Sequence, residues 1–164
     1  MSFFILINGV KYLIFVKKIK MGVADILFKR KKELAEKNLN EGNAFLAENA
    51  KREGVISLPS GLQYEIILES SGVKPTATDV VTCHYHGYNI KNEVFDSSVE
   101  RGKPASFGLN KVIQGWTEAL QLMSVGSKYR LFLPAHLAYG EQQISKEIGP
   151  NSTLIFEVEL LGIN

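Results

Sequence analysis

The chain has 164 residues, 45% of them apolar, and its 19 Lys and Arg exceed 17 Asp and Glu by a formal charge of +2. That length and apolar content suit one globular domain with an appendage, and so balanced a charge gives no whole-molecule field for nucleic acid or an acidic membrane. Cys83 is the only cysteine, so no intrachain disulfide can form, and no run approaches the roughly 18 uninterrupted apolar residues of a membrane span.

Residues 1–20, MSFFILINGVKYLIFVKKIK, are apolar but broken by Asn8, Gly9 and Lys11, and Lys17, Lys18 and Lys20 follow the apolar run. A secretory signal carries its charge before that run and ends at a small-residue cleavage site. Neither feature is present. Three readings stay open: an extension ahead of a true start at Met21, a weak membrane anchor, or a strand or helix of the fold. The first makes the protein cytoplasmic; the second makes it membrane-anchored or periplasmic.

Residues 21–60 form a helix and a linker. From Gly22 to about Glu53 the chain is rich in Ala, Leu, Lys and Glu and lacks proline, with Val23, Ile26, Leu27, Leu34, Leu39, Leu46 and Ala50 at roughly helical spacing. Gly42 is its one weak point. A continuous helix here is about 45 Å long, and its apolar stripe needs a partner, because isolated helices are marginal in water. That partner is either its own domain or a second copy. Gly54, Pro59, Ser60 and Gly61 then mark the linker.

Residues 61–164 turn to β pattern. Leu62, Tyr64, Ile66 and Leu68 alternate as a half-buried strand, and 80–88, 127–134 and 153–162 are three more. Between them Trp116, Ala119, Leu120 and Met123 fall at i, i+3, i+4 and i+7, a short helix from Gly115 to about Met123. The expected fold class is α+β, an antiparallel sheet wrapped on one short helix.

Conventional catalytic machinery is missing. His84 and His86 share one strand face while Cys83 and Tyr85 take the other. Two histidines do not make a metal site, and there is no CxxC or HExxH. No GxSxG frames a serine, and Cys83 in a β-rich run reads as a small buried hydrophobe. Glycine clusters for phosphate are absent, and the aromatics are not interleaved with Arg and Lys as a single-strand nucleic-acid groove requires. What stands out is a density of aromatic and aliphatic residues around Trp116, the only tryptophan.

VFDSS (94–98), VIQGWTEALQLMSVG (112–126), AYG (138–140) and GPNSTLIFEVELL (149–161) resemble, in order and spacing, the FKBP-type peptidyl-prolyl cis-trans isomerases. Residues 40–67 are similar to the linker of the bacterial macrophage infectivity potentiator-like branch. The resemblance implies an FKBP-like half-open antiparallel sheet around one short helix, preceded by a long N-terminal helix. It also implies rotation about X–Pro amide bonds, proline-containing polypeptides as substrates, a macrolide as inhibitor, no cofactor, and a homodimer through the N-terminal helix. By the same resemblance Trp116 floors the pocket, Val112 and Ile113 line a wall, and the Ile113 N–H donates to a substrate carbonyl. Tyr139 donates its hydroxyl to another carbonyl, and Asp96 sits with Tyr85 near the reacting amide. Phe95, Phe107, Ile148 and Phe156 complete the walls.

Such a division of labour suits the reaction. Rotation crosses a barrier of about 18–20 kcal/mol and abolishes the resonance that makes the amide polar. A dry apolar pocket therefore favours the twisted state without nucleophile or metal. The chain departs from the family at the rim, with Ala105 where an aromatic is common, and Ile144 and Glu147 in the loop after AYG. By the same resemblance Glu147 is expected to overhang the pocket rim, so that hydrophobic residues before proline gain less and basic ones are penalised less. A non-catalytic peptide-binding or chaperone module using the same groove is the alternative reading.

Overall fold

The computed structural model describes residues 22–164 and the backbone strands 5–7 and 10–12. Two compact units result, residues 1–30 and 31–164. In the first, β1 (Ile5–Ile7) and β2 (Val10–Tyr12) pair antiparallel, and the long helix α1 (Val23–Asn49) begins. Asp25 supports its first turn by accepting the Gly22 N–H at 3.1 Å. Met21 and most of the leading segment lie outside the described residues.

Residues 31–164 build one seven-stranded sheet. Its strands are β3 (Val55–Ser57), β4 (Gln63–Leu68), β5 (Val80–Asn89), β6 (Val94–Ser97), β7 (Ala105–Gly108), β8 (Lys128–Leu133) and β9 (Leu154–Ile163). The order is β3-β4-β8-β9-β5-β6, antiparallel throughout, with β7 beside the first half of β5. A 3₁₀ turn at Leu109–Lys111 leads to α2 (Gln114–Leu120), and a second 3₁₀ turn at Ala135–Leu137 follows β8.

Alternation along the strands divides the core in two. Leu131, Leu133, Leu154, Phe156, Val158 and Leu160 join Trp116, Ala119, Leu120 and Met123 in the main core. Phe132 and Ile155, directly opposite each other, face the other way and bury Leu46 of α1. Both faces of the sheet are thus covered at its centre. That explains one departure from the expected pattern. Gln63 is buried, while Ile66, Ile67 and Leu68 are exposed, because β4 passes beneath the end of α1. There Gln63 donates to the Leu46 carbonyl at 3.0 Å and accepts from Asn49 Nδ2 at 2.9 Å. A buried amide so paired escapes the penalty of an unmet hydrogen bond.

Three further differences have local causes. Helix α1 stops at Asn49, where Lys51 and Arg52 close turns onto Glu48 and Asn49, and β3 occupies part of the expected linker. Helix α2 stops at Leu120, yet Met123 stays buried through the turn that follows. Gly42 is a point of close approach: a Cβ there would lie 2.2 Å from Thr153 Oγ1. Only glycine lets α1 come so near the start of β9.

Candidate active site

At one end of the main core the sheet opens into a cavity of about 320 Å³, lined by Tyr85, Asp96, Phe107, Lys111, Val112, Ile113, Trp116, Tyr139 and Phe156. They converge from several elements. Tyr85 comes from β5, Asp96 from β6, Phe107 from β7 and Phe156 from β9. Val112 and Ile113 precede α2, and Tyr139 follows the second 3₁₀ turn.

Trp116 is 4% exposed and enters in the first turn of α2. Its neighbour explains how. A Cβ on Gly115 would fall 2.5 Å from Leu133 Cδ2 and 3.2 Å from the Leu137 carbonyl oxygen, so glycine lets the helix start against β8. The indole then meets Tyr85, Phe107 and Phe156 edge-to-face, with centroids 5.5, 5.4 and 5.4 Å away. Edge-to-face contacts of this kind suit the ring quadrupoles. The indole Nε1 is buried and has no hydrogen-bond partner among the described residues.

The polar edge is a three-residue network. Tyr85 donates its hydroxyl to Asp96 Oδ2 at 2.5 Å. Arg101 donates one amino group to Asp96 Oδ1 and the other to the Tyr85 hydroxyl oxygen at 2.9 Å, with its guanidinium 5.6 Å over the Tyr85 ring. Burial would raise the Asp96 pKa, but the hydrogen bonds from Tyr85 and Arg101 and the guanidinium charge outweigh it and hold the carboxyl below its ordinary 3.8. Burial, and then the bond to Asp96, push the Tyr85 phenol up. At neutral pH the network is a phenol, a carboxylate and a guanidinium, neutral in sum.

The back of the same strands fixes this edge. Ser98 accepts the Tyr85 N–H at 2.7 Å and donates to the Tyr85 carbonyl at 3.2 Å. The same hydroxyl lies 3.0 Å from His84 Nδ1. His86 Nδ1 lies 2.9 Å from Ser97 Oγ. The two histidines on one strand face thus buttress the residues after Asp96. Cys83, on the other face, is fully buried, and burial pushes its thiol to about 12.

Among the residues expected at the site, eight line the cavity: Tyr85, Asp96, Phe107, Val112, Ile113, Trp116, Tyr139 and Phe156. Phe95 and Ile148 do not. Phe95 stands behind Phe156, edge-to-face at 5.4 Å, and Ile148 is 4% exposed within the core. Glu147 is also misplaced by the sequence reading. Its carboxylate accepts from Ser145 Oγ at 3.0 Å, and it borders a separate cleft with Asn38, Asn89 and Glu93. The cause is simple: Ile148 turns into the core, so its predecessor turns away. Arg101 and Lys111 were missed. A cation five residues after Asp96 was the available signal for the first, and direct adjacency to Val112 for the second.

A half-open antiparallel sheet wrapped on one short helix, with a tryptophan-floored aromatic cavity at its mouth, defines an FKBP-like domain. The family model described as FKBP-type peptidyl-prolyl cis-trans isomerase matches residues 71–161, and that of the domain amino-terminal to it matches residues 15–66. The chain belongs to the FKBP-type peptidyl-prolyl cis-trans isomerase family. It is 49% identical over 142 residues to the outer membrane protein MIP of Legionella longbeachae, covering 85% of this chain and 61% of that one. It is 56% identical over 123 residues to the FKBP-type 22 kDa peptidyl-prolyl cis-trans isomerase of Escherichia coli strain K12, covering 75% and 60%. The crystal structure of FkpA from Escherichia coli superposes with a TM-score of 0.79 at 34% identity, over 88% of this chain and 74% of that one. The chain spans about half to three fifths of the length of the curated relatives it matches.

Proposed function

We propose that the protein catalyses cis-trans rotation about X–Pro bonds in proline-containing polypeptides, in the Trp116 cavity, and so assists their folding. The observation that carries this reading is a pocket with aromatic walls and hydrogen-bonding groups only at its edges. The proline ring rests on the indole. As the amide twists it loses resonance and dipole, and walls of Tyr85, Phe107, Trp116 and Phe156 favour that state over the planar one, which water stabilises better. Neither the Ile113 N–H nor the Tyr139 hydroxyl is bonded to another described residue, so both are free to donate to carbonyls flanking the proline. The Tyr85–Asp96–Arg101 network holds the polar edge in place. No proton is transferred and no covalent bond is broken in this scheme.

The test is a protease-coupled isomerisation assay on prolyl tetrapeptides with the full chain, with and without a macrolide competitor. Acceleration that the macrolide abolishes supports the reading. A folded protein that binds the peptides yet leaves the uncatalysed rate unchanged would favour the binding module. We propose further that the protein dimerises through α1, since Ile26, Leu27, Phe28, Leu34 and Leu39 are exposed along it. Sedimentation equilibrium of the parent and of Leu34→Glu/Leu39→Glu tests this. The division into residues 1–20, 21–60 and 61–164 belongs to the same proposal. No helix among the described residues is long and apolar enough to cross a membrane. A start at Met21 would put the protein in the cytoplasm, whereas a retained leading segment would favour the membrane or periplasm. Cell fractionation with intact-mass measurement separates the two.

A further inference from the structure

Two of the residues that line the cavity carry a charge, Asp96 and Lys111, and they differ in situation. The Asp96 carboxylate is matched by the Arg101 guanidinium, so this pair adds little net field inside the pocket. The Lys111 ammonium makes no ion pair or hydrogen bond with another described residue. Its stem lies along Gly108, whose Cβ position would be 3.8 and 3.9 Å from Lys111 Cδ and Cγ. Backbone position also matters. Lys111 ends the 3₁₀ turn whose next two residues, Val112 and Ile113, form the wall. A peptide that bonds the Ile113 N–H therefore has its neighbouring side chains within reach of this cation.

We propose that Lys111 selects the substrate class: polypeptides with Asp or Glu directly beside the proline. The inference rests on the reading of the Trp116 cavity as the prolyl site. Its sign is opposite to that expected from Glu147, whose carboxylate borders a different cleft. One exposed charge pair on a mobile stem is worth up to about fivefold in an equilibrium constant, so a preference of about threefold is expected. It should be sensitive to salt, because the Debye length falls from about 10 Å at 0.1 M to about 3 Å at 1 M.

The experiment uses matched peptides with Glu, Gln or Lys immediately before, or immediately after, a single proline. Isomerisation by the full chain is read by exchange NMR, and affinity separately by Trp116 fluorescence. In at least one series, Glu should exceed Lys by about threefold at low salt in both readouts and lose most of that lead at 1 M salt. Lys111→Gln should flatten the series, and Lys111→Glu should invert it. Flat series in the parent, or a Glu lead that survives in Lys111→Glu, would overturn the assignment. If the Gln peptides are not turned over at all, the catalytic reading fails; an affinity ranking of Glu over Lys would still uphold the role of Lys111.

Discussion

Replacing Trp116 by leucine separates a platform from a core residue. The indole is 4% exposed and touches three rings edge-to-face at 5.4–5.5 Å. Going to leucine withdraws roughly 80 Å² of buried surface, about 2 kcal/mol at ~25 cal/mol per Å². Losing three edge-to-face contacts costs about 0.5–1.5 kcal/mol each. Removing an unpartnered buried Nε1–H returns about 1 kcal/mol. The net destabilisation is about 2.5–5.5 kcal/mol, which a domain in the middle of the ordinary range of about 5–15 kcal/mol tolerates. Urea unfolding of the variant should therefore show a cooperative transition at lower midpoint with an unchanged slope. Under conditions where it is fully folded, kcat/KM should fall at least tenfold, equivalent to about 1.4 kcal/mol of transition-state stabilisation, because proline loses its flat apolar floor. Trp116→Phe, which keeps a ring, should lie between. A folded leucine variant with kcat/KM within twofold of the parent would mean that the indole only fills the core.

Asp96→Asn removes a carboxylate whose folded pKa lies below its ordinary 3.8. Its stabilisation is present above that value and lost as pH falls through the lower folded one. The gap in urea midpoint between parent and variant should thus close as pH is lowered from about 5 to about 2, and a gap constant with pH would contradict the assignment. Gly42→Ala puts a Cβ 2.2 Å from Thr153 Oγ1. Calorimetry should show a loss of about 1–3 kcal/mol from overpacking, against a propensity gain of about 1 kcal/mol, with partial recovery in Gly42→Ala/Thr153→Ala. A fragment of residues 60–164 retains the whole cavity but uncovers Phe132, Ile155 and Gln63. It should isomerise prolyl peptides with a lower melting temperature than the fragment 31–164, and equal melting temperatures would show that α1 adds nothing to the sheet.

What the sequence revealed, and what it hid, follows from how far each signal reaches along the chain. The strands at 80–89, 128–133 and 154–163 are long and bury apolar residues against α2, so their pattern is local and readable. Strands β3, β6 and β7 have three or four residues each and exist because a neighbour offers a free edge, which no short window contains. Gln63 shows the same limit in one residue. A polar side chain in an alternating strand reads as outward and solvated, and it is outward; it is buried because α1, some fourteen residues upstream, folds back over it. The cavity divides likewise. Its floor and walls were legible as a motif, since glycine, tryptophan and the aliphatic pair lie within five consecutive residues. The electrostatics were not, because charge acts through direction. Glu147 and Ile148 are adjacent, and the burial of one turns the other away. Arg101 reaches Asp96 only through the turn that follows β6, where Ser97 Oγ accepts the Glu100 N–H at 3.1 Å. Shape in this pocket is written in local sequence, while the sign of its field depends on which way two loops face.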